Sequence, residues 1–236
     1  MVVWLYNIYA EDEMKQYLKE RMWVATEKLA TRPRAFPFFV LAAQATFSIR
    51  TLKLFDPDAK VEIRTNNPKH NYLQYLQNNF SNITVVNTKP LYDEYKDKSF
   101  WNYRIRYEAL LDMKEDTIMI DCDTYFTAKP TFELNDNTCW VSHGGNMGIL
   151  GLTRKNIQAH IPSVIQKIDE EADPEGKEKR AIDETITLTR MKNNNIKCEM
   201  TGKWIHHYYQ YPHNEKLKWS APTEDLFEKL KKKKHV

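Results

Sequence analysis

Two carboxylates, Asp121 and Asp123, follow the apolar run Thr117-Ile118-Met119-Ile120. The run is β-branched and apolar, and it reads as a buried strand that ends where the acids begin. Leaving two unpaired carboxylates side by side in an apolar interior costs on the order of several kcal/mol. They must therefore face water, a partner or a cation. Hard divalent ions such as Mn²⁺ or Mg²⁺ prefer such oxygens. An ion held by two protein carboxylates completes its shell with water and a ligand's phosphates. The triplet Asp121-Cys122-Asp123 thus suggests a nucleotide-dependent enzyme, with Cys122 carried between the acids at the ligand.

Other residues could serve the same ligand. Arg104 and Arg106 lie upstream of the acids, two apart on one helix, so they do not share a helical face. At least one is expected to reach phosphates near Asp121, because a guanidinium fork matches their oxygens. Gly144, Gly145, Asn146 and Gly148 form the glycine cluster of a chain with 6 glycines. They read either as a hairpin turn or as a pocket wall, with Gly145 letting backbone approach a ligand and Asn146 offering an amide. Asp183 and Glu184 open a helix, where carboxylates suit the dipole. They could equally hold sugar hydroxyls or stabilise positive charge at a reacting carbon. His206 and His207 end an apolar strand, and adjacent strand residues face opposite ways. One of the two is expected as the third metal ligand. Lys216, Lys218 and Trp219 could add cations and a stacking surface for a diphosphate.

These groups need a scaffold, and the hydrophobic pattern supplies one. Val2 to Ile8 reads as a first strand, which carries Tyr6 and Asn7 to its carboxyl end as candidate cofactor contacts. Glu11 to Leu29 has helical composition and is broken at Thr31-Arg32-Pro33-Arg34. Phe38 to Phe55 is a helix with Leu41, Ala42, Ala45, Ile49, Leu52 and Phe55 on one face. Strands follow at Lys60 to Thr65, Ile83 to Val86 and Thr117 to Ile120, alternating with helices at Tyr72 to Phe80 and Trp101 to Met113. This alternation argues for an α/β chain with a mostly parallel central sheet and helices on its faces. Ligands of such sheets bind beyond the carboxyl ends of the strands, where Asp121 and Asp123 lie. The second half is less regular. Short strands are expected at Trp140 to Ser142, Met147 to Leu152, Lys197 to Met200 and Lys203 to His207, with helices at Asn156 to Glu171 and Ala181 to Lys192. Pro162 marks a possible boundary in the first of those helices. One domain spans 1–236: a nucleotide half at 1–130, an acceptor and sugar half at 131–225, and a basic tail at 226–236.

Composition narrows the class. The chain has 236 residues, enough for one large core. Its 35 basic and 32 acidic residues nearly balance, which gives no charge argument for nucleic-acid binding. The exception is Lys229-Leu230-Lys231-Lys232-Lys233-Lys234, read as a frayed, solvated terminus or as a contact with an anionic surface. Cys122, Cys139 and Cys198 are widely spaced and odd in number, so no disulfide framework is expected. The first residues lack the features of a signal peptide, and no apolar run is long enough to cross a membrane. A soluble, cytoplasmic location is the expectation.

The motifs, in this order, resemble GT-A glycosyltransferases, and within them the retaining family 8 type that includes glycogenin and bacterial galactosyltransferases. Asn102-Tyr103-Arg104-Ile105-Arg106 is similar to that family's Tyr-Ala-Arg-Leu-Lys segment. Ile118-Met119-Ile120-Asp121-Cys122-Asp123-Thr124 resembles Leu-Tyr-Leu-Asp-Ala-Asp-Thr, and Asn146-Met147-Gly148-Ile149-Leu150 resembles Asn-Ala-Gly-Val-Leu. Asp183-Glu184 resembles a later Asp-Gln pair, and His207-Tyr208 the His-Tyr or His-Phe pair that completes the metal site; the register could equally place His206 there. Two features depart from the family. Glu215-Lys216-Leu217-Lys218-Trp219 replaces a Gly-x-x-Lys-Pro-Trp segment, and Glu11 to Arg34 looks like an insertion.

The resemblance implies the GT-A fold, a nucleotide-sugar donor (usually a UDP-sugar), Mn²⁺ bridging its diphosphate, and transfer to an acceptor hydroxyl with retention. It implies that Arg104 contacts the donor and that Asn146, Asp183 and Glu184 surround the sugar. The acceptor stays open among glycan, protein, lipid and modified nucleic-acid base. The competing readings are a metal-dependent nucleotidyltransferase and a non-catalytic binding module. The first should carry a glycine-rich basic loop after the first strand, but Asn7 to Glu13 is acidic and lacks glycine.

Overall fold

A strand buried on both faces forms the middle of the molecule. β1 (Val2–Ile8) runs parallel to β2 (Lys60–Thr65) on one side and to β4 (Asp116–Ile120) on the other. Its side chains alternate between two cores. Val3 and Leu5 join one, and Trp4, Tyr6 and Ile8 join the other, as the twofold period of a strand requires. The computed structural model describes residues 2–10, 38–96, 101–142, 148–171, 182–202, 204–207 and 224–234.

β3 (Ile83–Asn87) extends the sheet beyond β2, and β7 (Ile149–Leu152), β6 (Thr138–Val141) and β8 (Lys197–Met200) extend it beyond β4. The order is β3-β2-β1-β4-β7-β6-β8. β7 is antiparallel to both neighbours, and the other pairings are parallel. The chain fills one side of β1 with β2 and β3, then crosses to the other side with β4. This is the reversal of strand order at which open α/β sheets bind ligands.

α1 (Phe38–Phe55) and α2 (Asn71–Asn79) cover the face of Trp4, Tyr6 and Ile8 with Phe38, Ala42, Ala45, Ile49, Leu52, Leu73 and Leu76. α3 (Lys89–Tyr95) is a short connector opened by Pro90, a residue suited to a first helical turn. α4 (Trp101–Leu111), α5 (Arg154–Glu171) and α6 (Ile182–Asn193) cover the opposite face through Tyr107, Leu110, Ile157, Ile161, Val164 and Met191. The result is a single α/β domain with a mostly parallel seven-stranded sheet, as the sequence pattern predicts.

Several local expectations are corrected. Pro162 does not end α5, which runs unbroken from Arg154 to Glu171. Pro162 and Gln158, whose carbonyl the proline deprives of its donor, are both exposed, so water can serve that carbonyl. The lysine tail is helical: α7 (Glu224–Lys234) packs Leu226, Phe227 and Leu230 against Phe47, Leu54, Phe55 and Tyr125. Arg50 lies 4.2 Å from the centre of the Phe227 ring. Lys231 to Lys234 stay exposed in the last turn, where their charge complements the helix dipole. A second small sheet, β5 (Thr124–Phe126) paired antiparallel with β9 (Ile205–His207), lies outside the sequence expectations for β5. No helix among the described residues is long and apolar enough to cross a membrane. The helix expected at Glu11 to Leu29, the glycine cluster at 143–147 and the segment from Tyr208 to Trp219 lie outside the described residues.

Candidate functional site

β4 ends at Ile120, and the next three residues form a clamped turn. The Asp121 amide donates to the Gly148 carbonyl at 2.7 Å, and Thr124 Oγ1 donates to the Asp121 carbonyl at 2.9 Å. Cys122 turns inward, 7% exposed, with its Sγ 3.6 Å from the Asn7 carbonyl. Asp121 and Asp123 stay half-buried on either side of it. Cys122 anchors the turn from within and leaves both carboxylates on its outer side. Burial, then the charges of Asp121 and Asp123, push its thiol well above the usual range, so it stays neutral.

A buried hydroxyl relay supports this turn from behind. Tyr6 Oη lies 2.8 Å from Ser48 Oγ, Ser48 Oγ lies 3.0 Å from Thr124 Oγ1, and Thr124 reaches the Asp121 carbonyl. The relay ties β1 to α1 and both to the acidic turn. Tyr6 is 0% exposed. Its phenol faces the core and backs the turn from within. Burial raises its ionisation far above the usual tyrosine value, so it remains a neutral donor or acceptor. Ser48 and Thr51 are the polar residues that sequence reasoning missed. They interrupt the apolar face of α1 between Ala45 and Leu52, and Thr51 Oγ1 accepts from the Phe126 amide at 2.9 Å. Hydroxyls buried at such positions need partners, and that was the available signal.

Two arginines approach from α4 with different commitments. Arg106 Nη2 lies 2.7 Å from Asp121 Oδ1, with side-chain exposures of 20% and 31%. Arg104 turns the other way. It pairs with Asp169 and, at 3.0 Å, with Glu108, and its guanidinium lies 5.3 Å from the centre of the Tyr95 ring. Arg106 is thus the guanidinium beside the acidic turn. Next to it, Tyr107 Oη lies 2.7 Å from Thr187 Oγ1 of α6, one helical turn beyond Asp183. That bond fastens the first turns of α6, which carry Asp183 and Glu184, to the helix of Arg106. The side chains of Asp183 and Glu184 lie outside the described residues.

Asn7 sits at the carboxyl end of β1, beside the turn. Its Nδ2 and Oδ1 are both buried and have no hydrogen-bond partner among the described residues. A buried amide without partners costs about 1–3 kcal/mol, so this one suits a ligand that supplies a donor and an acceptor. β9 brings the histidines to the other side of the turn. Thr124 is registered with His207 and Tyr125 with His206, whose rings stack at 5.6 Å. The His207 side chain, Gly145, Asn146, Lys216 and Lys218 lie outside the described residues. Among the described residues no three His, Cys, Asp or Glu side chains converge on one point.

Solved structures of similar fold include glycosyltransferases. The apo form of GlyE from Streptococcus pneumoniae TIGR4 has a TM-score of 0.48 at 12% identity, over 84% of this chain and 44% of its own. This chain therefore spans less than half the length of GlyE. The galactosyltransferase LgtC, solved with donor and acceptor sugar analogues, has a TM-score of 0.49 at 12% identity, over 98% of this chain and 95% of its own. No protein-family model matches the sequence, and no curated protein matches it.

Proposed function

We propose that the chain is a metal-dependent glycosyltransferase of the GT-A type, which moves a sugar from a nucleotide-sugar donor, a UDP-sugar, to an acceptor hydroxyl with retention. The observation that supports this best is the acidic turn itself. Asp121 and Asp123 are held half-exposed at the carboxyl end of β4, at the reversal of strand order beside β1, with a guanidinium 2.7 Å from one of them.

The residues fit a divalent cation. The donor set is hard carboxylate oxygen with a histidine pair registered one strand away, a set that suits Mn²⁺ or Mg²⁺. Asp121, Asp123 and either His207 or His206 would hold it. When bound, such an ion neutralises charge on a departing diphosphate. Arg106 has a second role in this reading. Its guanidinium, 2.7 Å from Asp121, would also bind the phosphates of the donor. Lys216 and Lys218 would add to that positive field, while Arg104 is held by Asp169 and Glu108. Asn7 would pair its buried amide with the nucleotide. Gly145 and Asn146 would line the sugar, and Asp183 or Glu184 would stabilise positive charge at the anomeric carbon. No residue is assigned as a covalent nucleophile.

The test is hydrolysis of a panel of nucleotide sugars with Mn²⁺, followed by mass spectrometry. The Asp121→Asn, Asp123→Asn double variant is expected to lose it. A folded double variant that hydrolyses the donor at the native rate would overturn the metal assignment.

A further inference from the structure

β6 and β8 run parallel, and Cys139 is registered directly with Cys198. Registered residues on neighbouring strands project to the same face, and the strands lie about 4.8 Å apart. A disulfide needs Cα atoms roughly 4.4–6.8 Å apart, a range into which this pairing falls. The two sulfurs already touch: Cys139 Sγ donates to Cys198 Sγ at 2.9 Å. Neither is bonded, and both are free thiols. Their environments differ. Cys139 is 0% exposed in the core beneath α5 and α6, while Cys198 is half-buried on β8, the last strand of the sheet. Cys198 is the less buried of the two, and Cys139 lies deeper in the core.

We infer that Cys139 and Cys198 form a dithiol site that hydrogen peroxide converts to a disulfide. The chemistry needs only that oxidant. The hydrogen bond from Cys139 lowers the Cys198 thiol, against the opposing effect of burial, which favours its thiolate as the attacking form. That same bond, with burial, pushes Cys139 up, so it keeps its proton. Cys198 Sγ attacks one peroxide oxygen, the O–O bond breaks, and hydroxide leaves and takes up a proton. Cys198 is then a sulfenic acid. Cys139 Sγ attacks the Cys198 sulfur, the S–O bond breaks, and the departing hydroxide takes the Cys139 proton as water. The two sulfurs lose two electrons and the peroxide is reduced to two waters. The third cysteine, Cys122, belongs to the other core and takes no part.

The test is to treat the full chain with hydrogen peroxide at neutral pH, block thiols in denaturant, and map peptides after digestion with trypsin and Asp-N. The expected result is one blocked thiol, at Cys122, and a cross-link between the Cys139 and Cys198 peptides that dithiothreitol resolves. Cys198→Ser, a substitution at the half-buried position, should yield no cross-link and leave Cys139 reduced. Cys139→Ser should yield a Cys198 sulfenic acid that dimedone traps. Three blocked thiols after peroxide, a cross-link that includes Cys122, or direct passage of Cys198 to sulfinic acid in the native chain would each overturn the inference.

Discussion

Ser48→Ala removes the middle of the relay that backs the acidic turn. Ser48 is 0% exposed and stands between the Tyr6 phenol and the Thr124 hydroxyl. Thr124 keeps an acceptor in the Asp121 carbonyl, so the group left stranded is the Tyr6 hydroxyl. An unsatisfied buried hydroxyl costs about 1–3 kcal/mol. For a domain of this length that lowers the melting midpoint by about 2–4 °C per kcal/mol. Tyr6→Phe should cost less, about 0.5–1.5 kcal/mol, because Ser48 retains Thr124 as a partner. Once Ser48 is alanine, deleting the phenol oxygen should be nearly free. Urea unfolding of the native chain, both single variants and the double variant closes the cycle. A coupling of about 1 kcal/mol is expected. Costs that add to within about 0.3 kcal/mol would show that the two hydroxyls do not depend on each other, and the relay would fail as an account of the turn.

Three further outcomes follow from the same geometry. Arg106→Gln should cost little stability, under about 1 kcal/mol for a half-exposed pair. It should weaken UDP binding in Mn²⁺ by about tenfold, as expected for one charge-assisted hydrogen bond, and calorimetry with unchanged affinity would rule out its phosphate role. His160 has a lowered ionisation, first through burial and then through the charge of Arg190, and its Nδ1 has no partner among the described residues. The unfolded chain therefore takes up that proton first, and stability falls as pH drops below 6.5 towards the folded value; His160→Gln should flatten this part of the urea-midpoint profile between neutral and mildly acidic pH. The oxidised chain should melt higher than the reduced one, because a bond closing the 59-residue separation of Cys139 and Cys198 removes about 4 kcal/mol of unfolded-chain entropy.

The scaffold was legible because its signals are local. Phe38–Phe55 and Lys60–Thr65 have the bounds that their periodicity predicts, since apolar spacing of 3.6 and runs of β-branched residues report directly on burial. Asp121 and Asp123 were legible for a similar reason: charge directly after an apolar strand has few inexpensive explanations. Non-local pairings were not. Arg104 and Arg106 are near-equivalent in sequence, and which of them meets Asp121 depends on how α4 rolls against the sheet. The relay joins Tyr6 to Ser48 and Ser48 to Thr124 across 42 and 76 residues, with no pattern to announce it. Cys139 and Cys198 look unrelated until β6 and β8 are in register. The lysine tail was read from its charge, while Leu226, Phe227 and Leu230, spaced to form one helical stripe, were the residues that docked it.

The central claim is that the acidic turn holds a divalent cation together with a nucleotide diphosphate. Its most direct test is the electron paramagnetic resonance signal of free Mn²⁺, titrated with the chain and UDP. The expected result is loss of the free-ion signal beyond that caused by UDP alone, saturating at one Mn²⁺ per chain, and no such extra loss with the folded Asp121→Asn, Asp123→Asn variant. A signal unchanged by the native chain, or quenched equally by the variant, would contradict the account.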